Sequence, residues 1–297
     1  MQIEGTDSRS NKLPGTGLVD PADVVRRGNA AGLHAASRTM HAHPPKMAFS
    51  LVAHELISSE LQLRDLVGSR VEVVEEIGVY LTGSGGKRLR PLLTALGARA
   101  AGNMQDVSRL MCVGELIHLG SLLHDDVVDE GLLRRGHPAA WRVYGNAAVI
   151  LTGDFCLARA VLLAGEEGGW KAVTELGRAV TAMAEGEVLQ LQRAGNLSTS
   201  LSDYLQMIDK KSAALIAWCA AAGAWAISEP ALAEALFHFG RGVGIAFQIA
   251  DDVLDYQPGT GKTPGQDLKE RKLTLPLVYA MHRIPGLRER VESPEAE

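Results

Sequence analysis

Apolar residues begin to recur at roughly the helical repeat near residue 47 and continue to do so along most of the chain. Leu51, Val52, Leu56, Leu61, Leu63 and Leu66 form the first such series. A second, 72–81, stops at the glycine-rich breaker Thr82-Gly83-Ser84-Gly85-Gly86. Residues 92–101 and 106–126 repeat the pattern, and 145–164 carries only Asp154 and Arg159 as charges. Residues 213–227 are 15 apolar positions in a row, short for a membrane span and normal for a buried helix. Strand-like alternation persists nowhere. The expected fold class is all-α: a helical bundle with a central cavity between facing helices. Residues 1–45 are rich in Gly, Ser, Pro, Asn and Ala without periodicity, which predicts a disordered arm before one domain over 46–297.

Two polar interruptions stand at the ends of apolar runs. Leu122-Leu123 leads into His124-Asp125-Asp126-Val127-Val128-Asp129-Glu130, and Ala250 leads into Asp251-Asp252-Val253-Leu254-Asp255. A helix turns about 100° per residue, so Asp125 and Asp129 share a face, as do Asp251 and Asp255. Crowded carboxylates repel one another and lose hydration, so a fold keeps them where cations neutralise them. Oxygen ligands select hard cations such as Mg²⁺, which binds through a few carboxylates plus substrate phosphate. Two such clusters suit a diphosphate held by several Mg²⁺ ions.

Other motifs fail on spacing. Gly85-Gly86-Lys87 is no nucleotide loop, because Leu81 and Arg88 occupy positions that need Gly and Ser or Thr. His54-Glu55 starts a zinc motif that Ser58 ends. Gly240, Gly242 and Gly244 lie in a helical pattern and read as packing positions. A net charge of −5 offers nucleic acid no basic surface. Cys112, Cys156 and Cys219 lack paired spacing and read as reduced, buried thiols of a cytoplasmic protein. No apolar signal core is visible in residues 1–20.

HDDVVDEGLLRRG (124–136) and AFQIADDVLDY (246–256) resemble the two aspartate-rich motifs of trans-isoprenyl diphosphate synthases, the polyprenyl synthetase family. GGKRLRP (85–91) resembles the family's third signature. GNAAVILTGDF (145–155), AEGEVLQL (184–191), KKSAALI (210–216) and DLKERKLTLPL (267–277) extend the likeness over residues 46 to 283. The nearest likeness is to bacterial octaprenyl and heptaprenyl synthases, and it implies the isoprenoid synthase fold.

The resemblance implies a reaction: chain elongation of an allylic prenyl diphosphate by isopentenyl diphosphate. Asp125, Asp126, Asp129, Asp251, Asp252 and Asp255 are the implied metal ligands. Lys211 joins the first five as catalytic. Lys87, Arg88, His118 and Arg135 are implied for isopentenyl diphosphate. Arg134, Lys211, Lys262 and Lys272 are implied for the allylic substrate, and Ser212 and Gln248 match substrate-binding positions. Glu187 and Gln190 read equally as a polar stripe or as substrate contacts. Gly120 and Ser121, small where short-chain relatives carry aromatics, imply a medium or long product; the other reading of both is close helix packing. Arg271 stands where the family usually has glycine, and only 42 residues follow Asp255, fewer than usual. A homodimer that delivers its product to a membrane as a peripheral partner is expected. The alternatives are a farnesyl or geranylgeranyl synthase, a non-catalytic subunit of a heteromeric synthase, and a helical metal phosphohydrolase built on His124-Asp125.

Overall fold

The computed structural model of the protein describes residues 44–83, 87–134, 137–257, 266–269 and 271–292. The first helix, α1 (Pro44–Leu51), begins two residues before the expected domain edge. Residues 1–43, where the expected arm falls, lie outside the described set, as do Gly85, Gly86, Arg135 and Lys262.

Helices α2 (Ala53–Leu66), α3 (Glu72–Thr82), α4 (Leu89–Ala100) and α5 (Ser108–Val128) follow the expected periods. A two-residue antiparallel ladder, β1 (Leu133–Arg134) with β2 (His137–Pro138), then leads through α6 (Ala140–Tyr144) into α7 (Asn146–Arg193). The expected helix over 145–164 is thus the first part of a 48-residue element. That element is broken at Gly169, whose φ of 72° and ψ of −174° are open essentially to glycine alone. A Cβ at Gly120 of α5 would meet the Gly153 carbonyl, and one at Gly168 would meet Leu110. The first half of α7 therefore runs antiparallel to α5. Beyond Gly169 the chain turns back, and its second half returns Glu187 to the charge field of Asp125.

Helix α8 (Leu201–Ile208) is opened by a capping box between Ser200 and Asp203. It continues through a π-helical turn (Asp209–Ala213) into α9 (Ala214–Trp225). Every residue from Leu215 to Trp225 is buried, so α9 is the axis of the bundle. Its alanines let neighbours approach closely: Gly240 and Gly244 of α10 (Pro230–Asp255) sit where a Cβ would come within 2.6 Å of Ala220 and Ala213. Gly242 faces open space, so the packing reading holds for two of the three glycines. Short helices α11 (Gln266–Lys269), α12 (Leu275–Arg283) and α13 (Leu287–Glu292) follow. The three cysteines are buried and free, and burial pushes each thiol up to about 12.

Candidate active site

Four elements end at the same place: the C-termini of α5, α7 and α10, and the π turn. In π geometry each hydrogen bond spans one residue more, which bulges the turn and re-aims its side chains. Here it presents Lys211, whose Nζ lies 2.5 Å from Glu187 and 3.2 Å from Gln190. The polar stripe on α7 is thus the counter-charge of Lys211.

The first acid cluster is asymmetric. The Asp129 amide donates to the Asp125 carbonyl at 2.8 Å, so the helical turn runs through all three acids. Asp126 is buried, and its Oδ1 accepts from Nε of Arg134 at 2.8 Å and from a second Arg134 nitrogen. The β1–β2 ladder holds that arginine. Asp126 Oδ2 is buried and has no hydrogen-bond partner. Burial raises the Asp125 carboxyl to about 6, helped by the charge of Glu187 and opposed by Lys211. Asp129 accepts from Lys272 at 3.1 Å.

The second cluster divides its labour more sharply. Asp251 is half-buried, with Lys87 3.6 Å away and lying over the Phe247 ring. Asp252 is buried, with Oδ2 accepting from the Tyr204 hydroxyl at 2.6 Å and Oδ1 from Gln248 at 2.7 Å. Ser212 donates to Gln248 at 2.5 Å, joining the π turn to the acid helix. Asp255 is buried and accepts the Asp267 amide at 3.1 Å. Asp252 and Asp255 are therefore buried and bonded within the chain, while Asp251 is partly exposed.

Among the described residues no three acidic, histidine or cysteine side chains are already gathered into a metal cage. The donors nonetheless fit a hard cation. An orphan carboxylate oxygen on Asp126 and an anion disfavoured at Asp125 are what a bound cation relieves. Magnesium takes few protein ligands and completes its shell with water and phosphate.

The basic signature splits. Arg88 is spent on Glu60 and Glu115, whereas Arg90, the second residue of α4, has a buried Nε with no partner. Arg90 stands beside Gly114, one turn before the half-buried His118 on α5. Sequence reading missed Arg90, Glu60, Glu115 and Tyr204. Glu115 was detectable as a charge inside an apolar helical run. Tyr204 was not, because its partner lies 48 residues away. Gly120 packs against α7, with a Cβ there 2.9 Å from the Gly153 carbonyl, so it is a packing position. Ser121 is half-buried, its hydroxyl bonded to the His118 carbonyl.

This is an isoprenoid-synthase-type all-α bundle, with two acid clusters and their cations gathered at one end. A polyprenyl synthetase family model matches residues 71–293. Octaprenyl diphosphate synthase of Haemophilus influenzae is 42% identical over 221 residues, spanning 72% of this chain and 67% of that one. Its Escherichia coli K12 counterpart is 38% identical over 237 residues, spanning 78% and 73%. The crystal structure of a polyprenyl synthase from Caulobacter crescentus CB15, complexed with calcium and isoprenyl diphosphate, superposes with a TM-score of 0.77. It is 41% identical, with 84% of this chain and 80% of that one covered. The chain belongs to the polyprenyl synthetase family.

Proposed function

We propose that this protein condenses isopentenyl diphosphate with an allylic prenyl diphosphate to make a medium- or long-chain trans-polyprenyl diphosphate. The observation that carries this reading is the meeting of Asp125, Asp129 and Asp251 with Lys87, Lys211 and Lys272 at one end of an apolar bundle. The octaprenyl relatives support the longer product.

Asp125, Asp126, Asp129 and Asp251 would hold Mg²⁺, with Asp252 and Asp255 fixing the helix that carries the last of these. When bound, Mg²⁺ supplies concentrated positive charge to the leaving diphosphate. Lys211, Arg134 and Lys272 neutralise the same diphosphate as the allylic C–O bond breaks and its electron pair departs with oxygen. Lys87, Arg90 and His118 orient isopentenyl diphosphate so that its double-bond electrons form the new C–C bond to the allylic cation. A proton then leaves the adjacent carbon to the departing diphosphate, restoring a double bond. Arg135 and Lys262 join the two substrate sites on the resemblance alone.

We take the working form to be a homodimer. Helix α7 is long and apolar enough to cross a bilayer by length and composition. Its first half instead divides between a buried face and an exposed stripe of Ile150, Leu151, Val161 and Leu162, which a second copy would cover.

Purified protein incubated with labelled isopentenyl diphosphate, Mg²⁺ and geranyl, farnesyl or geranylgeranyl primer should yield products longer than twenty carbons. No incorporation refutes the activity, and products that stop at farnesyl refute the chain length.

A further inference from the structure

The residue that begins α4 has an unusual backbone and a fully committed side chain. Arg88 adopts φ 50° and ψ 34°, the left-handed region that residues with a Cβ rarely occupy. Its Nε and one terminal nitrogen each meet a Glu60 oxygen at 2.7 Å. The other terminal nitrogen meets Glu115 at 3.2 Å. Glu115 is only 6% exposed, between Gly114 and Leu116 of an otherwise apolar segment, so Arg88 is what neutralises it. The planar guanidinium is therefore shared between α2 and α5, with fork geometry toward Glu60. Two cavities border this junction. One, of about 10 Å³, is lined by Ser59, Leu63, Pro91 and Cys112 together with the three charged residues and is too small for phosphate. The other, of about 360 Å³, is bordered by Arg88, Glu60 and Arg64, and its remaining walls are the apolar side chains of Phe49, Leu56, Ile57 and Leu61.

The backbone reversal at Arg88 sends its neighbours in different directions. Lys87 reaches α10, at Asp251 and Phe247. Arg90 lies along α5 beside Gly114, with its unpartnered Nε. We infer that Arg88 is a positioning residue: Glu60 and Glu115 clamp it so that the turn it forms presents Lys87 and Arg90 to the diphosphate of isopentenyl diphosphate. The inference rests on the proposed function for the identity of that substrate. It departs from the direct contact that the resemblance implies for Arg88.

Steady-state kinetics of Glu115→Gln, Glu60→Gln, Arg88→Lys and the Glu115→Gln/Arg88→Lys double variant separate the two roles. Wild-type incorporation of isopentenyl diphosphate comes first, and its absence overturns the proposed function rather than the clamp. With the clamp, Glu115→Gln raises the KM for isopentenyl diphosphate about tenfold, through misplacement of the bound group. It leaves kcat and the allylic KM within about twofold, since neither acid cluster is touched. Arg88→Lys does the same, and the double variant is no worse than the more affected single one, because both break one device. If Arg88 instead binds the diphosphate directly, Glu115→Gln frees the guanidinium and leaves the KM unchanged or lower, while Arg88→Lys alone raises it. That pattern overturns the clamp, as would equal losses for both substrates. If the Arg88 variants do not fold, calorimetric titration of isopentenyl diphosphate into Glu60→Gln and Glu115→Gln still decides: about tenfold weaker binding supports the clamp, and unchanged binding overturns it.

Discussion

Lys272 Nζ lies 3.1 Å from Asp129 Oδ2, joining the loop after the second acid cluster to the last acid of the first, 143 residues earlier. The preceding residue, Arg271, has a φ of 56°. This left-handed turn, which glycine adopts without strain, carries the lysine toward the first cluster. Arg271→Gly should remove a strain of about 1 kcal/mol and return part of it through a freer unfolded chain. The thermal midpoint should hold or rise slightly, with diphosphate binding kept. Lys272→Ala should weaken binding of inorganic diphosphate in the presence of Mg²⁺, measured by calorimetry. Equal binding by wild type and Lys272→Ala would remove Lys272 from the allylic site.

Asp125 carries the clearest pH signature. Its carboxyl is raised to about 6, chiefly by burial and then by Glu187. Between the unfolded value near 4 and the folded value near 6, the folded metal-free protein holds the extra proton. Asp125 thus lowers stability as pH rises through that window, and its penalty is complete above about 6, at most about 3 kcal/mol. Metal-free Asp125→Asn should melt higher than wild type at pH 7.5 and at nearly the same temperature at pH 4. Mg²⁺ should raise the wild-type midpoint more at pH 7.5 than at pH 5, and that of Asp125→Asn little at either. Asp125→Ala should lose most turnover while remaining folded.

Product length should respond to Ser121 and not simply to Gly120. Ser121→Phe adds bulk at a half-buried position one turn before Asp125 and should shorten the product while sparing the first condensation. Gly120→Ala places a methyl 2.9 Å from the Gly153 carbonyl and close to Leu157. It should cost about 1–3 kcal/mol of stability through overpacking. Product sizing beside thermal melts separates the two. A Gly120→Ala protein that melts like wild type and makes shorter chains would reverse the assignment.

The dimer proposal predicts that charge on the α7 stripe splits the protein. Leu151 and Leu162 are 64% and 57% exposed on one copy, so Leu151→Glu with Leu162→Glu costs little in the isolated chain. Sedimentation should show wild type as a dimer at micromolar concentration and the double variant as a monomer. A wild-type monomer with full activity would end the idea.

Much of this molecule is local, and local features were legible. The 3.6-residue repeat marked α2 to α5, an unbroken apolar run marked α9, and a four-residue spacing put Asp125 with Asp129 and Asp251 with Asp255. The break at Gly169 was not legible as a reversal. The pair Gly168-Gly169, between Glu167 and Trp170, can be two helix positions or a corner, and the backbone angles at Gly169 make it a corner. The π turn was equally silent, since Asp209, Lys210, Lys211 and Ser212 suit an ordinary helix start.

The sequence by itself determined the all-helical class, the two acid clusters, their cationic partners by type, and the family, because each depends on residues close together along the chain. The tertiary structure decided which partners each member of a set meets. Asp251 is half-buried and pairs with Lys87, while Asp252 is buried against Tyr204 and Gln248. Arg90 keeps an unpaired nitrogen while Arg88 is consumed by Glu60 and Glu115. Which charge pairs with which depends on what lies nearest in space, not along the chain. Tyr204 and the two glutamates reach their partners across 48, 28 and 27 residues, a proximity that only the packing of α2, α5, α8 and α10 creates.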